Sequence, residues 1–192
     1  MASLNPNVLG QVSGETAPLL RADFPLYPYQ LRELGAADQI ALRDLLLGLD
    51  EASRISRFSG VLGDHVIVQH AQYAVTEAAW IAGAFVGNEL CGTVELYEAR
   101  DPLEIEAAFA VAGAWRRQGI GTALLLAALQ WAQRSRRARL QMVFSRRNWA
   151  MRRLVGKAGA SLDLALDEFV ASVAVCDWRP FSAAPGADEP LQ

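Results

Sequence analysis

A glycine-punctuated turn between an apolar strand and an apolar helix is the feature that most constrains this chain. The segment Ile105–Trp115 is apolar at nearly every position, and Thr122–Ala132 is a long apolar run after the turn. Between them, Gly119 and Gly121 lack a Cβ atom and let the backbone approach a ligand closely. Their amides lie at the start of the following helix, where the helix dipole favours an anion. The sequence therefore predicts a strand–loop–helix unit that binds phosphate.

The charges are distributed unevenly along the chain. Residues Ala107–Leu162 include ten arginines and Lys157 but no Asp or Glu, so this window carries a formal charge of +11. The remainder carries −14, and the chain as a whole −3. One interpretation is an anion-binding face, and the other is a solvated surface rich in arginine. We favour the anion-binding face, because Arg116 and Arg117 flank the glycine turn.

The loop and the helices around it resemble a known family. Residues 116–121, Arg-Arg-Gln-Gly-Ile-Gly, resemble the (Arg/Gln)-x-x-Gly-x-(Gly/Ala) signature of the GNAT N-acyltransferases. The segment Asn148–Gly159 is similar to the Asn-x-x-Met-x-x-Leu-x-x-Lys-x-Gly helix of many GNAT domains. Upstream, Leu31–Leu34 and Ser53–Phe58 resemble the opening of GNAT domains in bacterial protein-lysine acetyltransferases. The resemblance extends from about Tyr29 to Val175.

Composition and resemblance together predict one α/β (α+β) domain. A chain of 192 residues with 52% hydrophobic and 20% charged residues is of the globular class. We expect a mixed, mostly antiparallel sheet of about six to seven strands flanked by helices. The predicted division is an arm over residues 1–24, the GNAT-like domain over residues 25–176 and a flexible tail over residues 177–192.

Periodicity and turn residues predict the individual elements. Strands are predicted over Leu26–Leu34, Ala78–Val86, Leu90–Tyr97, Ile105–Trp115, Leu140–Phe144 and twice within Ser161–Val175. Residues 87–89, Gly-Asn-Glu, predict a hairpin between the second and third of these strands. Helices are predicted over Asp38–Leu49, Gly119–Arg136 and Asn148–Ala158, with a short one at Ser53–Phe58. Asp64 is a good N-cap for a further helix, although Val66–Val68 would equally suit a strand. The GNAT resemblance favours the helix.

The resemblance implies acetyl-CoA as cosubstrate and assigns it a binding site. The pyrophosphate would lie on the loop formed by Arg116, Arg117, Gln118, Gly119, Ile120, Gly121 and Thr122. The pantetheine arm would contact Ala110 and Val111 at the strand end, where Gly113 marks either a bulge that opens the ladder or a simple turn. Asn148 would cap its helix and contact coenzyme A.

Glu106 is the candidate general base for transfer of an acetyl group to a primary amine. It lies at the start of the strand that leads into the loop. By the resemblance, it matches the glutamate that precedes Phe-Val-Val-type runs in the protein-lysine acetyltransferases. Glu104 faces the same side by strand alternation and could share or support the role. The alternative is that both are solvated carboxylates at a strand end. Many GNAT enzymes have a tyrosine that protonates the leaving thiolate, but Val155 stands at that position here.

The sequence also limits partners and alternative functions. Acidic residues outside the basic window favour a cationic acceptor, either a protein lysine or a small basic amine; those considered are Glu95, Glu98, Asp101, Glu104 and Glu106. We expect no metal site, because His65 and His70 are the only histidines. Cys91 and Cys176 are expected to be buried hydrophobes. A catalytically inert acyl-CoA-binding domain is the alternative function.

The remaining expectations concern location and assembly. No run of about 18 uncharged apolar residues is present, and Met1–Leu20 lacks a basic start with an apolar core. We therefore expect a cytoplasmic protein without a membrane partner, and a homodimer is possible. We do not expect nucleic-acid binding, since the arginines lack an interleaved pattern of stacking aromatics.

Overall fold

The computed structural model describes residues 29–176 and Trp178. These residues form seven strands, β1 (Gln30–Glu33), β2 (Trp80–Val86), β3 (Glu89–Glu98), β4 (Glu104–Val111), β5 (Arg139–Ser145), β6 (Ser161–Ala165) and β7 (Glu168–Ala174). They also form five α-helices, α1 (Gln39–Leu47), α2 (Glu51–Phe58), α3 (Asp64–Glu77), α4 (Ile120–Arg134) and α5 (Trp149–Lys157), with 3-10 turns at Ala36–Asp38 and Gly113–Trp115.

All seven strands join one sheet in the order β1-β2-β3-β4-β5-β7-β6. Strands β1 to β4 form an antiparallel meander, and β5, β7 and β6 form a second antiparallel group. The two groups are joined by a parallel pairing of β4 with β5, which α4 makes possible as the crossover. The predicted fold class is confirmed, including the hairpin at Gly87 and Asn88.

Helices cover the sheet on two faces, each with its own apolar core. On one face, α4 buries nine side chains, and Leu124, Leu125 and Leu129 are fully inaccessible. On the other face, α1 and α3 bury Leu42 and Ile67 against residues of β2 and β3. A fully buried leucine contributes about 1.5–3 kcal/mol relative to an exposed one, so α4 is the principal hydrophobic support of the central strands.

Several local predictions need correction. Gly113 begins a 3-10 turn and is not a bulge; the irregularity in the ladder lies in β2, between Ala84 and Phe85. Strand β4 therefore ends at Val111, before the predicted end. Gly63 is the N-cap residue of α3, because Asp64 already lies inside the helix and pairs instead with Arg54.

The two cysteines differ in burial, and some other expectations fall outside the described residues. Cys91 is buried as expected, whereas Cys176 is exposed. The predicted arm over residues 1–24 and the start of the first predicted strand lie outside the described residues, as does the predicted tail apart from Trp178. In the described residues, no helix has the length and apolar character that a membrane span requires.

We predict that Gly92→Ala destabilises the fold where β3 passes beneath the start of α4. A Cβ at Gly92 would lie 2.9 Å from Ile120 Cγ2 and 3.1 Å from the Ala110 carbonyl oxygen. Such overpacking costs about 1–3 kcal/mol. Urea unfolding followed by circular dichroism measures the change. Gly60→Ala is the matched control, because a Cβ there meets nothing within 4 Å; equal stabilities for the two variants would contradict the prediction.

Candidate active site

Strands β4 and β5 separate shortly after they meet. Their parallel pairing spans only Glu104–Glu106 on β4 and Arg139–Gln141 on β5. Beyond it, β4 remains paired with β3 as far as Val111, while β5 remains paired with β7 as far as Ser145. The separation leaves the β5-facing edge of β4 without a strand partner from Ala107 onward. Ala110 and Val111, the predicted pantetheine contacts, lie at the end of this open edge.

The predicted pyrophosphate loop closes the wide end of this opening. Gly119 is the N-cap of α4 and has a left-handed backbone with φ of 84°, which glycine adopts without strain. The first amide of the helix to find an intrahelical acceptor is that of Ala123, which donates to the Gly119 carbonyl at 3.0 Å. The amides of Ile120, Gly121 and Thr122 therefore have no intrahelical acceptor, as at any helix start. They lie together at the positive end of the α4 dipole.

Gly121 has space for a side chain within the protein itself. A Cβ added there would lie 3.8 Å from Leu154 Cδ2, an ordinary van der Waals contact. Alanine is also a better helix former than glycine by about 1 kcal/mol. Packing and propensity thus give no reason for glycine at this position. Close approach of a ligand to the first turn of α4 would give one.

The two loop arginines differ in their surroundings. Arg116 donates to Asp50 at 3.0 Å, to the Ser53 hydroxyl and to the Val111 carbonyl at 3.3 Å. Hydrogen bonds from Ser53, and to a lesser degree Arg116, lower the pKa of Asp50. Arg117 is exposed and forms no ion pair within the described residues. The positive charge at the mouth of the loop that no carboxylate balances is therefore that of Arg117.

Asn148 is the N-cap of α5, as predicted. Its Oδ1 accepts a hydrogen bond from the Met151 amide at 3.0 Å, and its Nδ2 donates to the Ser56 hydroxyl at 2.7 Å. The side chain thus joins α5 to α2 across the opening between β4 and β5. A coenzyme contact through Nδ2 would have to replace Ser56.

The two candidate catalytic carboxylates have different partners. Glu104 accepts from Arg139 Nε and from Gln141 Nε2, both at 2.6 Å, so its charge is already balanced. Glu106 is exposed and has no ion pair among the residues described. Of the two candidates, Glu106 is therefore the one whose charge no cation balances in the described residues; the base role of either carboxylate stays a prediction.

A buried carboxylate that the sequence interpretation misplaced lies on the same face of the sheet. Glu95, which was counted among surface acids that attract a cation, is fully inaccessible. Its Oε2 accepts from Arg57 at 2.6 Å, from the Tyr97 hydroxyl at 2.7 Å and from His70 Nε2 at 2.8 Å. Burial raises the pKa of Glu95, but the charge of Arg57 and the bonds from His70 and Arg57 outweigh it and lower the pKa to about 2.

A charged residue inside an apolar strand was the signal that could have identified Glu95. It follows Val94 and precedes Leu96 in a strand whose residues 90–96 are all buried. A carboxylate at such a position requires buried donors, because isolated burial of its charge costs several kcal/mol. We define the Glu95 face as the side of the sheet that carries Glu95, Tyr97 and Glu106.

Ion pairing also corrects the picture of two oppositely charged sides. Three arginines of the acid-free window pair with carboxylates from outside it: Arg116 with Asp50, Arg137 with Glu98 and Arg139 with Glu104. The window and the remainder of the chain are thus interleaved in space. Of the five acids considered, Asp101 and Glu106 have no ion pair among the described residues, whereas Glu95, Glu98 and Glu104 are balanced by arginines. The electrostatic preference for a cation therefore rests on Asp101 and Glu106.

The residue that replaces the tyrosine of many GNAT enzymes lies in the hydrophobic core. Val155 is fully buried in α5. This side chain cannot donate a proton to a leaving thiolate. Within the described residues, no group of three or more His, Cys, Asp or Glu side chains could hold a metal ion.

The chain belongs to the GNAT acetyltransferase family. The family model described as "Acetyltransferase (GNAT) family" matches residues 51–159, more than half of the chain. The predicted resemblance is thereby confirmed. No curated protein sequence is significantly similar to the chain.

Solved structures of other GNAT proteins share the fold. The GNAT domain of S. lividans PAT has 18% identity and a TM-score of 0.66 over 76% of this chain and 90% of that one. PaiA N-acetyltransferase from Thermoplasma acidophilum, solved with coenzyme A, has 16% identity and a TM-score of 0.59, covering 77% and 99%. YncA from Salmonella typhimurium, solved with acetyl-CoA, has 15% identity and a TM-score of 0.61, covering 84% and 100%.

We predict that the contribution of Glu95 to stability depends on pH. Its folded pKa of about 2 lies below the ordinary value of 4.5, so the stabilisation is full above pH 4.5 and is lost as the pH falls toward 2. At neutral pH, Glu95→Gln should lower the free energy of unfolding by about 3 kcal/mol or more, because Arg57 is left without a counter-charge. The deficit should shrink on acidification.

Urea unfolding of wild type and Glu95→Gln at several pH values between 7 and 3 measures this difference. Glu98→Gln is the matched control: its partner Arg137 is also an arginine, but Glu98 is exposed, and the change should cost less than about 1 kcal/mol. A Glu95→Gln deficit that stays constant down to pH 3 would contradict the assignment of a low pKa to Glu95.

Proposed function

We propose that the protein transfers an acetyl group from acetyl-CoA to a primary amine, with Glu106 as general base. The observation that carries the proposal is the separation of β4 from β5, which opens between the free amides of α4 and the unpaired carboxylate of Glu106. Relatives of the same fold have been solved with coenzyme A or acetyl-CoA, which supports the choice of cosubstrate.

The chain offers groups for the pyrophosphate, the pantetheine arm and the thioester of acetyl-CoA. The amides of Ile120, Gly121 and Thr122 would hold the pyrophosphate, supported by Arg117, with Arg116 and Gln118 shaping the loop. Gln118 Nε2 donates to the Ala114 carbonyl at 3.0 Å, which ties the loop back on itself. The open main-chain edge at Ala110 and Val111 would hold the amide-bearing pantetheine arm. This arm would direct the thioester along β4 toward Glu106.

The reaction needs little covalent participation from the protein. The amine nitrogen attacks the thioester carbonyl carbon, a C–N bond forms, and the C–S bond breaks as the thiolate of coenzyme A leaves. Glu106 takes the proton of the attacking amine, directly or through water. No acid from α5 assists, because Val155 stands at that position; a thiol has a reference pKa near 8.5, so the thiolate is a tolerable leaving group.

A basic amine remains the acceptor that we favour. Fewer unbalanced carboxylates support this preference than the sequence suggested, because Glu95, Glu98 and Glu104 are balanced by arginines. The unpaired Glu106 still favours an amine that arrives protonated, whether a protein lysine or a small basic molecule. The cytoplasmic location and the possible homodimer stay predictions from the sequence.

The second candidate is a catalytically inert acyl-CoA-binding domain, which the buried Val155 keeps in consideration. The two functions differ in turnover. A panel assay that follows release of free thiol from acetyl-CoA with alkylamines, lysine peptides and polyamines separates them. Thiol release that depends on the amine supports the transferase, and tight binding without release supports the inert domain.

We predict that Gly121→Val lowers the affinity for coenzyme A at least tenfold, or about 1.4 kcal/mol. A Cβ at Gly121 makes only an ordinary contact with Leu154, at 3.8 Å, so the loss would come from blocked approach of the pyrophosphate. Titration calorimetry with coenzyme A measures the dissociation constant. Gly156→Val on α5, where a Cβ meets nothing within 4 Å, is the matched control. Equal affinity in the two variants would move the pyrophosphate away from α4.

We predict that Glu106→Gln lowers kcat about 100-fold or more at neutral pH and leaves the affinity for acetyl-CoA unchanged. The defect should diminish as the pH rises, since more of the acceptor is then free amine. Glu104→Gln is the matched control, the same chemical change two residues away on the same strand, and it should cost less. If Glu106→Gln keeps full activity at neutral pH, the proton goes to another group or to water.

A further inference from the structure

Two stacked tyrosines lie on the Glu95 face, and one of them is opposite Glu106. Tyr97 is paired directly opposite Glu106 in the β3–β4 ladder, so their side chains are neighbours on one face. The ring of Tyr73, on α3, stacks on that of Tyr97 with centroids 6.4 Å apart and an interplanar angle of 12°. Tyr73 is 54% exposed. The row Tyr73, Tyr97, Glu106 thus runs from α3 to the edge of the opening.

The hydroxyl of Tyr97 can only accept hydrogen bonds from an arriving molecule. Its single hydrogen is donated to Glu95 Oε2 at 2.7 Å. Glu95 is ionised, and burial together with its charge raises the pKa of Tyr97, so the phenol keeps its proton. The lone pairs of the phenol oxygen remain for a donor. A ligand at this oxygen must therefore bring an N–H or O–H group.

The charges around the row select a cation. Glu95 is balanced by Arg57, and Arg139 is balanced by Glu104. Glu106, which has no ion pair in the described part of the chain, leaves a net negative charge next to an acceptor-only oxygen. The exposed face of Tyr73 adds aromatic surface, which attracts cations and packs against methylene groups.

We propose that Tyr97, Tyr73 and Glu106 form a subsite for a primary alkylammonium group and its methylene stem. The ammonium donates to the Tyr97 oxygen and the Glu106 carboxylate, and the stem lies along the Tyr73 ring. Glu95 is a positioning residue, because it holds the Tyr97 hydrogen away from the subsite. The inference deepens the proposed function, on which it rests for its chemical purpose: the subsite delivers the amine to the group that deprotonates it.

A purely stabilising role for the hydrogen bonds of Glu95 would explain fewer of these features than a subsite does. Arg57 and His70 link α2 and α3 to β3 through Glu95, which any stabilising network would do. That account leaves unexplained why the stacked Tyr73 ring is exposed and why Glu106 lacks a partner. It also leaves Glu95 Oε1 buried without a hydrogen-bond partner in the described residues, so the cluster retains more acceptor capacity than that role uses.

The test uses the full chain, acetyl-CoA and n-butylamine as the probe. Tyr97→Phe removes only the hydroxyl, and Tyr73→Ala removes an exposed ring. Both should raise the KM for n-butylamine about tenfold, leave the dissociation constant of acetyl-CoA unchanged and change kcat much less than KM. Thr76→Ala, the next exposed position on α3, is the matched control and should leave all three values unchanged.

A second measurement separates this inference from the acetyltransferase proposal. Ligand-observed NMR reports binding of n-butylammonium to the protein saturated with coenzyme A, without any turnover. Binding weakened by both tyrosine changes supports the subsite even if no amine ever releases thiol. An unchanged KM and unchanged binding in Tyr73→Ala overturn the subsite, even if the wild type is an active acetyltransferase. Because Tyr73 is exposed, this variant tests the inference even if Tyr97→Phe fails to fold.

Discussion

The early separation of β4 from β5 is the constraint on which the rest of the site depends. Two strands that share only three register pairs would ordinarily be free to close on one another. Here each is fixed by its other neighbour: β3 holds β4 as far as Val111, and β7 holds β5 as far as Ser145. The buried face of α4 lies beneath both groups. The opening is thus kept by the ladders and the core beside it, and β4 has no strand partner on its β5-facing edge beyond Glu106.

The second constraint is electrostatic, and it concerns α2. This helix contains no fully buried side chain, so apolar burial alone cannot hold it over the opening. Its strongest link is Arg57, which reaches Glu95 on β3 and is itself nearly inaccessible. Burial of such a pair costs several kcal/mol of desolvation, which the three donors on Glu95 Oε2 offset. The same carboxylate fixes α2, α3 and the Tyr97 hydroxyl, so the position of α2 and the chemistry of the Glu95 face depend on one another.

Much of the fold and the loop could be predicted from local sequence, because local rules decide them. Alternation and glycine positions were sufficient for the hairpin at Gly87 and for α4, whose predicted start, Gly119, is the residue just before the helix. The predictions failed where the deciding partner is distant in sequence. Glu95 depends on Arg57 and His70, and Arg137 on Glu98, and summing charges over a window cannot show such pairs. Gly113 was left open for another reason: a glycine after a strand fits a bulge and a turn equally well, and the structure has the turn.

The groups expected to bind coenzyme A differ in the hydrogen bonds that they would have to give up. Arg116 and Asn148 already bond to Asp50, Ser53 and Ser56 around α2, so a ligand that uses them exchanges one bond for another. The net gain of such an exchange is small. The first amides of α4 lose only water when they bind a phosphate, and the bonds they form are charge-assisted. The main chain of the loop should therefore contribute more to affinity than the side chains of Arg116 or Asn148. Arg116 links α2 to the loop and Asn148 links α2 to α5, so a ligand that does engage them also loosens α2 from the opening.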